Sequence, residues 1–462
     1  MNDKTLQPHS PIVPSSLVLS TSITNNNEKD AKAHDGADAI PETQEPTTQQ
    51  GAAQSSSLTY PEGGTEAWCI VLGAFCATIC VHGLPNAAAV FESYFSQNQL
   101  QERTPSELGW IFSIFLFVLY LLGFLVGPAF DKYGHRALVA AGSVVVVAGL
   151  VLLSFCSEYY QIILTFSVMT GLGASLLNTP AFAVIGHWFN TRRGLAMGFA
   201  ATGGSVGGII FPFVLQAALP RFGFAWSMRL LALIFLALAV PANLFIKTRL
   251  PPSQNFASIW PDVRLFRDAK FVFCCGGIFF MEYGVLIPLT YIISFAVSRG
   301  HDARAGYLLP ILLNAGSVVG RAAPGFVADR IGRFNTIVLT VGLCMVSVFA
   351  IWLPVDGSWS ALLAFAFIFG FASGGNVSLI PACIGQLCDS RDYGRFLSTA
   401  MISASFGTLT GIPLGGLLLN LRDPEMGWTA LILFSGASYV VSLGCYTAAR
   451  VLAVGWCPTA VF

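Results

Sequence analysis

Charged side chains are scarce in this sequence of 462 residues. Asp, Glu, Lys and Arg make up 10% of it, whereas soluble domains carry about 25%. Hydrophobic residues make up 54%, and the mean hydropathy is +0.67. This composition predicts an integral membrane protein. The 24 basic and 24 acidic residues cancel, so no basic excess favours a nucleic-acid partner.

The sequence also lacks the motifs of ATP-driven pumps and membrane hydrolases. It contains no GxxxxGK[ST] loop, no HExxH and no nucleophile elbow. Its 11 cysteines are scattered, and neither Cys274 with Cys275 nor Cys383 with Cys388 has the spacing and partner histidines of a metal site. We therefore predict no enzyme, no metal and no cofactor.

A cleavable signal is absent as well. Residues 1–66 are rich in Ser, Thr, Asn and Gln and almost free of aromatics, which predicts a disordered cytoplasmic tail. They lack the apolar core of a signal peptide, so the first membrane helix is predicted to direct insertion.

Twelve apolar stretches of spanning length follow the tail. The first six are 67–91, 108–130, 137–156, 161–187, 194–218 and 224–246. The second six are 270–297, 305–328, 335–353, 361–386, 394–419 and 428–450. A polar linker at 247–269 divides the chain into six-helix halves at 67–246 and 270–450, and residues 451–462 form a second tail.

The basic residues predict the orientation. With the amino terminus inside, 17 of the 24 Lys and Arg lie on the inner side, six lie outside, and Arg321 lies within a stretch. Because positive loops stay inside, both termini are predicted to be cytoplasmic. The plasma membrane is the expected location, with the vacuolar membrane as the alternative.

A charged turn occurs twice at equivalent places. Gly127–Arg136 reads GPAFDKYGHR, and Gly325–Arg333 reads GFVADRIGR. Asp131 and Asp329 are 198 residues apart, as are Gly134 and Gly332. Elsewhere Pro180 and Pro381 are 201 apart, and Gly194 and Gly394 are 200 apart. Such a constant offset predicts parallel halves related by an axis along the membrane normal.

The residue types of the first turn suit a tight cytoplasmic helix contact. Gly127 allows close approach, Gly134 supplies backbone freedom, and Asp131 can lie against the positive amino end of a neighbouring helix. Arg136 can anchor the loop at the anionic inner leaflet. A single copy could equally be a basic loop that obeys the positive-inside rule.

This turn resembles the signature of the major facilitator superfamily, where the aspartate helps to latch the halves in one access state. The resemblance implies conformational-switch loops formed by Gly127, Asp131, Gly134, Arg136, Gly325, Asp329, Gly332 and Arg333. The segments PEGGTEAW (61–68), GHWFNTRRGLAMG (186–198), GGSVGGIIFP (203–212) and NAGSVVGRAAPGFVADRIGRFN (314–335) further resemble the monocarboxylate porter family, above all its fungal members. Glu62 is expected to cap the first helix.

Arg321 is the one basic residue placed inside the bilayer, where a charge needs a partner or a water-filled cavity. The resemblance implies that it binds a substrate carboxylate and couples to a proton. The alternative is a structural ion pair with Glu282 or Asp329.

Two departures from the animal proton-linked members weaken the case for proton–lactate symport. Those members carry an aspartate where this chain has Ser317, and a lysine where it has Asn86. Proton coupling could use Glu282 or His82 instead, or be absent. His82 could also simply pack against a facing helix.

The resemblance implies that spans one, four, seven and ten line a central cavity. The polar residues that these spans and span eight offer are His82, Asn86, Asn178, Glu282, Tyr283, Tyr291, Asn314, Arg321 and Asn376. Some of the asparagines could instead join helices by hydrogen bonds. The small-residue run Gly198–Gly208 is predicted to bring helix backbones together.

We therefore predict an all-α, twelve-helix major facilitator transporter that functions as a monomer in the lipid bilayer. Its expected cargo is a small organic solute, foremost a monocarboxylate or other organic anion, moved by alternating access on a proton or solute gradient. One alternative is a neutral or aromatic metabolite, and another is a nutrient sensor that transports nothing.

Overall fold

The protein is described by a computed structural model over residues 60–249, 263–306, 308–388, 393–419, 421 and 423–456. The predicted tail up to residue 59, the linker residues 250–262 and the last six residues lie outside the described residues. All regular structure within those ranges is helical. The α-helices are α1 (Gly64–Asn86), α2 (Ala88–Gln97), α3 (Pro105–Tyr133), α4 (Arg136–Leu153), α5 (Tyr159–Ile162), α6 (Gly171–Trp188), α7 (Arg193–Phe245), α8 (Ala269–Ser298), α9 (Ala303–Gly306), α10 (Leu308–Ile331), α11 (Arg333–Ser347), α12 (Trp359–Ile384), α13 (Tyr393–Leu419) and α14 (Pro424–Val454).

Three short segments complete the helical chain. A π-helical segment, Ile163–Thr170, joins α5 to α6, and a second, Val348–Trp352, extends α11. A 3₁₀ helix, Val263–Arg267, precedes α8.

Eleven helical segments of the described chain are long and apolar enough to cross a membrane. One of them, α7, has 53 residues, which at 1.5 Å per residue is about 80 Å, well over twice the bilayer core. Gly223 within it is not helical, with φ 71° and ψ 176°, and it lies between the predicted stretches 194–218 and 224–246. With α7 counted as two crossings, all twelve predicted spans are present.

The first predicted stretch, 67–91, is interrupted in the structure. Helix α1 ends at Asn86, Ala87 leaves the helical region with ψ 7°, and α2 begins at Ala88. Pro85 lies in the last turn of α1, and a proline has no N–H for the helical ladder and crowds the preceding turn. The interruption therefore follows from the sequence.

Helix starts are fixed by capping side chains. Thr104 and Glu107 form a reciprocal capping box at the start of α3, with the Glu107 carboxylate 2.8 Å from the Thr104 N–H. Asp268 caps α8 through the N–H of Lys270 at 2.9 Å, and Asp423 caps α14. These polar caps end the apolar spans at defined residues.

The helices form two halves, α1–α7 and α8–α14, whose two most extensive contacts are each between a pair of helices. Within the halves, α7 packs on α1 and α4, α12 on α10 and α11, and α14 on α8. Between them, α7 packs on α10 and α3 packs on α13.

The end of the bundle that carries the α3–α4 and α10–α11 turns is called the turn side below. Gly134 and Gly332 bend these turns with φ of 78° and 100°, a region that L side chains rarely adopt. The two halves thus use the same residue type at the same point of the repeat.

Candidate functional site

The α7–α10 contact is an antiparallel close approach of two backbones. A Cβ on Gly194 would lie 2.6 Å from the carbonyl oxygen of Gly325, and a Cβ on Gly198 would strike the carbonyl of Arg321. One level further along, a Cβ on Gly208 would lie 2.6 Å from Oδ1 of Asn314. One side of the small-residue run predicted to bring backbones together therefore lies between the halves, whereas Gly203 and Gly207 of the same run approach α1.

Arg321 lies in the middle of this contact and is 6% exposed. Its Nη1 donates to the carbonyl oxygen of Ala201 across the interface, and its Nε donates to Oγ of Ser317 at 3.2 Å. Ser205 on α7 donates to the same Ser317 oxygen at 2.9 Å. Nη2 has no partner among the described residues, but it is not sealed off from open space. One edge of the guanidinium therefore remains available to a ligand.

Glu282 lies in the middle of α8 and is 7% exposed. Within the described chain its carboxylate makes no hydrogen bond or ion pair, and its oxygens are not sealed off. The structural ion pair considered for Arg321 is absent between these described residues, both with Glu282 and with Asp329. Tyr120 on α3 is within charge-interaction range of both Arg321 and Glu282.

Four more predicted residues lie near Arg321. His82 Nε2 is 3.1 Å from Oδ1 of Asn178. A Cβ on Gly204 would lie 2.7 Å from Cβ of His82 and 2.8 Å from Nη1 of Arg321, so both side chains contact that glycine. Asn86 donates to the carbonyl oxygen of Gly204 at 3.0 Å. With Asn314, which approaches Gly208, these side chains surround the α1–α7–α10 junction.

The remaining predicted residues turn toward their own half. Tyr283 shares a hydrogen bond of 2.8 Å with Thr410, and Tyr291 donates to the carbonyl of Ile412 at 2.9 Å. Asn376 donates to Sγ of Cys344 at 3.3 Å and is 1% exposed. The structure thus places the amide of Asn376 between α12 and α11 rather than beside Arg321.

The two aspartates of the repeated turn each reach a helix start in the opposite half. Asp329 accepts from the N–H groups of Gly194 and Leu195, both at 2.8 Å, at the start of α7. Asp131 accepts from the N–H of Arg395 at 2.9 Å, at the start of α13. Since a helix start carries positive partial charge, both contacts hold the halves together at the turn side.

The two turn arginines are not equivalent. Arg333 donates through Nη2 to the carbonyl oxygen of Asn190 at 2.5 Å, across the halves. Arg136 is exposed. Of these two arginines, Arg333 is therefore the one that contacts the opposite half within the described chain.

The expected cap of α1 by Glu62 is wrong. The residue before α1 is Gly63, and no side chain of the described residues caps that helix. Glu62 instead accepts from the N–H groups of Asn190, Thr191 and Arg192 at 2.7–3.0 Å. It thus binds the turn that leads into α7, because the chain before α1 passes beside that turn.

Glu62 supplies a prediction about stability against pH. Partial burial alone would raise the pKa of its carboxyl, but the donors from Thr191, Arg192 and Asn190 hold that pKa below its ordinary value of 4.5. A lowered folded-state pKa stabilises the fold above the ordinary value, and this contribution is lost as the pH falls through the folded pKa. Glu62→Gln is expected to cost about 1 kcal/mol at neutral pH, and this deficit should shrink in acid.

Thermal unfolding in detergent from neutral pH to about pH 4 tests this, since the ordinary glutamate pKa lies at that end of the range. Glu66→Gln, an exposed acid in the first turn of α1, is the matched control. A deficit for Glu62→Gln that stays constant with pH would contradict the assignment.

Sequence reasoning missed two residues of this region. Tyr120 is a polar aromatic in the middle of the apolar run of α3, and that position was a usable signal. The count of inner basic residues places Arg193 in a loop, although the residue is 1% exposed. No local pattern separates it from its exposed neighbour Arg192.

Comparison with known proteins identifies the fold. The sequence model of the Major Facilitator Superfamily matches residues 70–357 and 325–453. The solved structure of the human organic anion transporter MFSD10 superposes with a TM-score of 0.64 over 82% of this chain and all of that one, at 15% identity. The predicted all-helical fold of two six-helix bundles is confirmed.

Fungal proteins are similar over most of the length. The riboflavin transporter MCH5 of Saccharomyces cerevisiae is 34% identical over 420 residues, 86% of this chain and 80% of that protein. The fujikurins efflux protein of Gibberella fujikuroi is 35% identical over 416 residues, 90% of this chain and 89% of that protein. The chain belongs to the major facilitator superfamily, as a multi-pass membrane transporter of the fungal, monocarboxylate-porter-like type that the sequence resembles.

Proposed function

We propose that the protein carries a neutral, aromatic organic solute, such as a vitamin or a secondary metabolite, by alternating access of its two halves. The observation that carries this proposal is a pair of buried ionisable side chains at mid-span. These are the basic Arg321 and the acidic Glu282, with no ion pair between them in the described chain. A small carboxylate would gain from Arg321 but would leave the buried Glu282 carboxyl without a partner, which is costly.

A neutral solute with an acceptor at one end and a donor at the other satisfies both groups. Nη2 of Arg321 can donate, and an oxygen of the Glu282 carboxyl can accept. The names of two relatives, a riboflavin transporter and a fujikurins efflux protein, favour this class of cargo over a monocarboxylate.

The geometry of transport follows from the two inter-half contacts. The site residues lie at mid-span, and the aspartate contacts lie at the turn side, so separation there would expose the site to that side. The excess of basic loop residues supports a cytoplasmic turn side, with the plasma membrane as the proposed location. One chain contains the site and both contacts, which supports a monomer.

Counterflow in proteoliposomes tests the solute class, because exchange of labelled for unlabelled solute depends on neither coupling nor direction. Riboflavin and pyridoxine serve as neutral aromatic probes, and lactate and pyruvate as carboxylate probes. Arg321→Gln removes the guanidinium donor and Glu282→Gln replaces the carboxyl by an amide, so each is expected to lower aromatic counterflow about 10- to 100-fold. Arg103→Gln loses an exposed ion pair with Glu107 and a cation–π contact with Tyr159, and it should retain wild-type exchange.

The outcomes separate the two solute classes. Exchange of an aromatic probe that depends on both Arg321 and Glu282 supports the proposal. Exchange of lactate or pyruvate alone, lost in Arg321→Gln and preserved in Glu282→Gln, overturns it in favour of an organic anion.

A further inference from the structure

Arg193 is the first residue of α7, and its side chain is buried between the halves. Its Nη1 donates to the carbonyl oxygen of Gly385 in the opposite half at 3.2 Å. Its guanidinium carbon lies 4.2 Å from the ring centroid of Tyr393, also in the opposite half. Nε and Nη2 are fully buried and have no hydrogen-bond partner among the described residues. Such unpaired buried donors are costly, so their retention requires a reason.

The cradle of this guanidinium is built from two glycines, one from each half. A Cβ on Gly385 would lie 2.5 Å from Cζ of Arg193, and a Cβ on Gly186 would strike Nη2. Any larger residue at either place would displace the side chain. The space is therefore fitted to the guanidinium.

Arg193 and Tyr393 occupy equivalent positions of the internal repeat. They are the first residues of α7 and α13, and the glycines that follow them, Gly194 and Gly394, are 200 residues apart. Asp329 and Asp131 bind these two helix starts in the same way.

Two equivalent residues that touch each other must lie on the axis that relates their halves. The separation of 4.2 Å leaves each group only about half that distance from the axis, because a two-fold rotation places equivalent points at equal distances on opposite sides. The axis runs along the membrane normal in parallel repeats, and so does the transport pathway between the halves. The Arg193–Tyr393 pair therefore closes the centre of the pathway at the turn side.

We propose that Arg193 and Tyr393 form the on-axis gate of the turn side, and that Arg193 becomes a solute-contact site when the gate opens. Separation of the halves frees Arg193 from Gly385 and exposes its Nε–Nη2 edge. That edge is the pair of parallel donors that binds carboxylates and carbonyl acceptors side-on. Tyr393 supplies an aromatic face beside it, which suits an aromatic solute with acceptor groups; this second step rests on the proposed function.

A native cysteine reports on the gate without any solute. Cys383 is 0% exposed and lies in the last turn of α12, between Pro381, which accepts from the Tyr393 hydroxyl at 2.8 Å, and Gly385. Purified protein in detergent is treated with N-ethylmaleimide, and peptide mass spectrometry follows each cysteine. Arg193→Ala and Tyr393→Ala are expected to raise the labelling rate of Cys383 at least ~10-fold, the change for about 1.4 kcal/mol.

Two controls accompany this measurement. Arg192→Ala alters the exposed neighbour and should leave Cys383 at the wild-type rate. Cys344, 0% exposed inside the second half, should stay protected throughout. If Cys344 is labelled as fast as Cys383 in the alanine variants, those variants are unfolded. The labelling rate of Cys383 is then measured in the milder variants Arg193→Lys and Tyr393→Leu, and these decide whether the gate exists. An unchanged Cys383 rate in folded variants overturns the gate.

Protection of Arg193 from phenylglyoxal tests the contact step in the Asp131→Asn/Asp329→Asn variant, in which the turn side is released. Saturating riboflavin, or lactate if only lactate exchanges in counterflow, is expected to slow modification of Arg193 at least ~5-fold, about 1 kcal/mol of protection. Arg192 is the internal control. Equal rates of Arg193 modification with and without solute would overturn the contact site but would not affect the gate. Failure of aromatic counterflow would change only the solute used as the probe.

Discussion

Replacement of Asp329 by asparagine is expected to raise the labelling rate of Cys383 by about 10- to 100-fold, because it removes about 1.5–3 kcal/mol of charge-assisted hydrogen bonding from the closed turn side. The carboxylate accepts two backbone N–H groups of α7 at 2.8 Å, and an asparagine keeps only one acceptor oxygen and no charge. These contacts exist only while the halves meet at the turn side. Their loss therefore favours the state in which that side is open.

The equivalent variant Asp131→Asn should act in the same direction, since Asp131 accepts from the N–H of Arg395 at 2.9 Å. The two aspartates bind different helices, so their effects on the labelling free energy should add in the double variant. Glu66→Gln, an exposed acid on α1, controls for the loss of a negative charge. Wild-type labelling rates in both single variants would show that the aspartates do not hold the turn side closed.

The spans and the repeat were predictable because both depend on the order of residues along the chain. Apolar length defines a crossing, and a fixed offset of about 200 residues relates Gly194 to Gly394. The start of a helix attracts a carboxylate wherever it lies, so the type of contact made by Asp131 also followed from its chemistry. The binding partner could not be predicted in this way. Asp131 binds α13 and Asp329 binds α7, each across the halves, and these pairings depend on the tertiary packing.

The direction in which individual polar side chains point was harder to predict from the sequence. Helices α6 and α12 are buried on nearly all sides, so hydrophobic periodicity does not show which side meets the cavity. Asn178 and Asn376 have near-equivalent places in the repeat, yet Asn178 meets His82 near Arg321 while Asn376 meets Cys344. Glu62 shows the same limit, since its partners are about 130 residues distant in sequence.

Substitution of glycine by alanine is expected to have opposite effects inside and outside the α7–α10 contact. Gly198→Ala puts a Cβ against the backbone carbonyl of Arg321, whereas Gly342→Ala on α11 puts it where no atom lies within 4 Å. In open space a helical Gly→Ala change stabilises by up to about 1 kcal/mol. Against a backbone that cannot rotate away, overpacking costs about 1–3 kcal/mol.

Gly198→Ala should therefore raise Cys383 labelling about 10-fold, since the two helices must separate to admit the methyl group and about 1.4 kcal/mol is a factor of ten. Counterflow should fall with it, because the closed turn side is one of the two states that exchange requires. Gly342→Ala should unfold at a slightly higher temperature and leave labelling and counterflow unchanged. Gly198→Ala could instead match Gly342→Ala in all three measurements. That result would show that α7 and α10 do not pack backbone to backbone during transport. The hydrogen bond from Arg321 to Ala201 across these helices would then not hold Arg321 at mid-span.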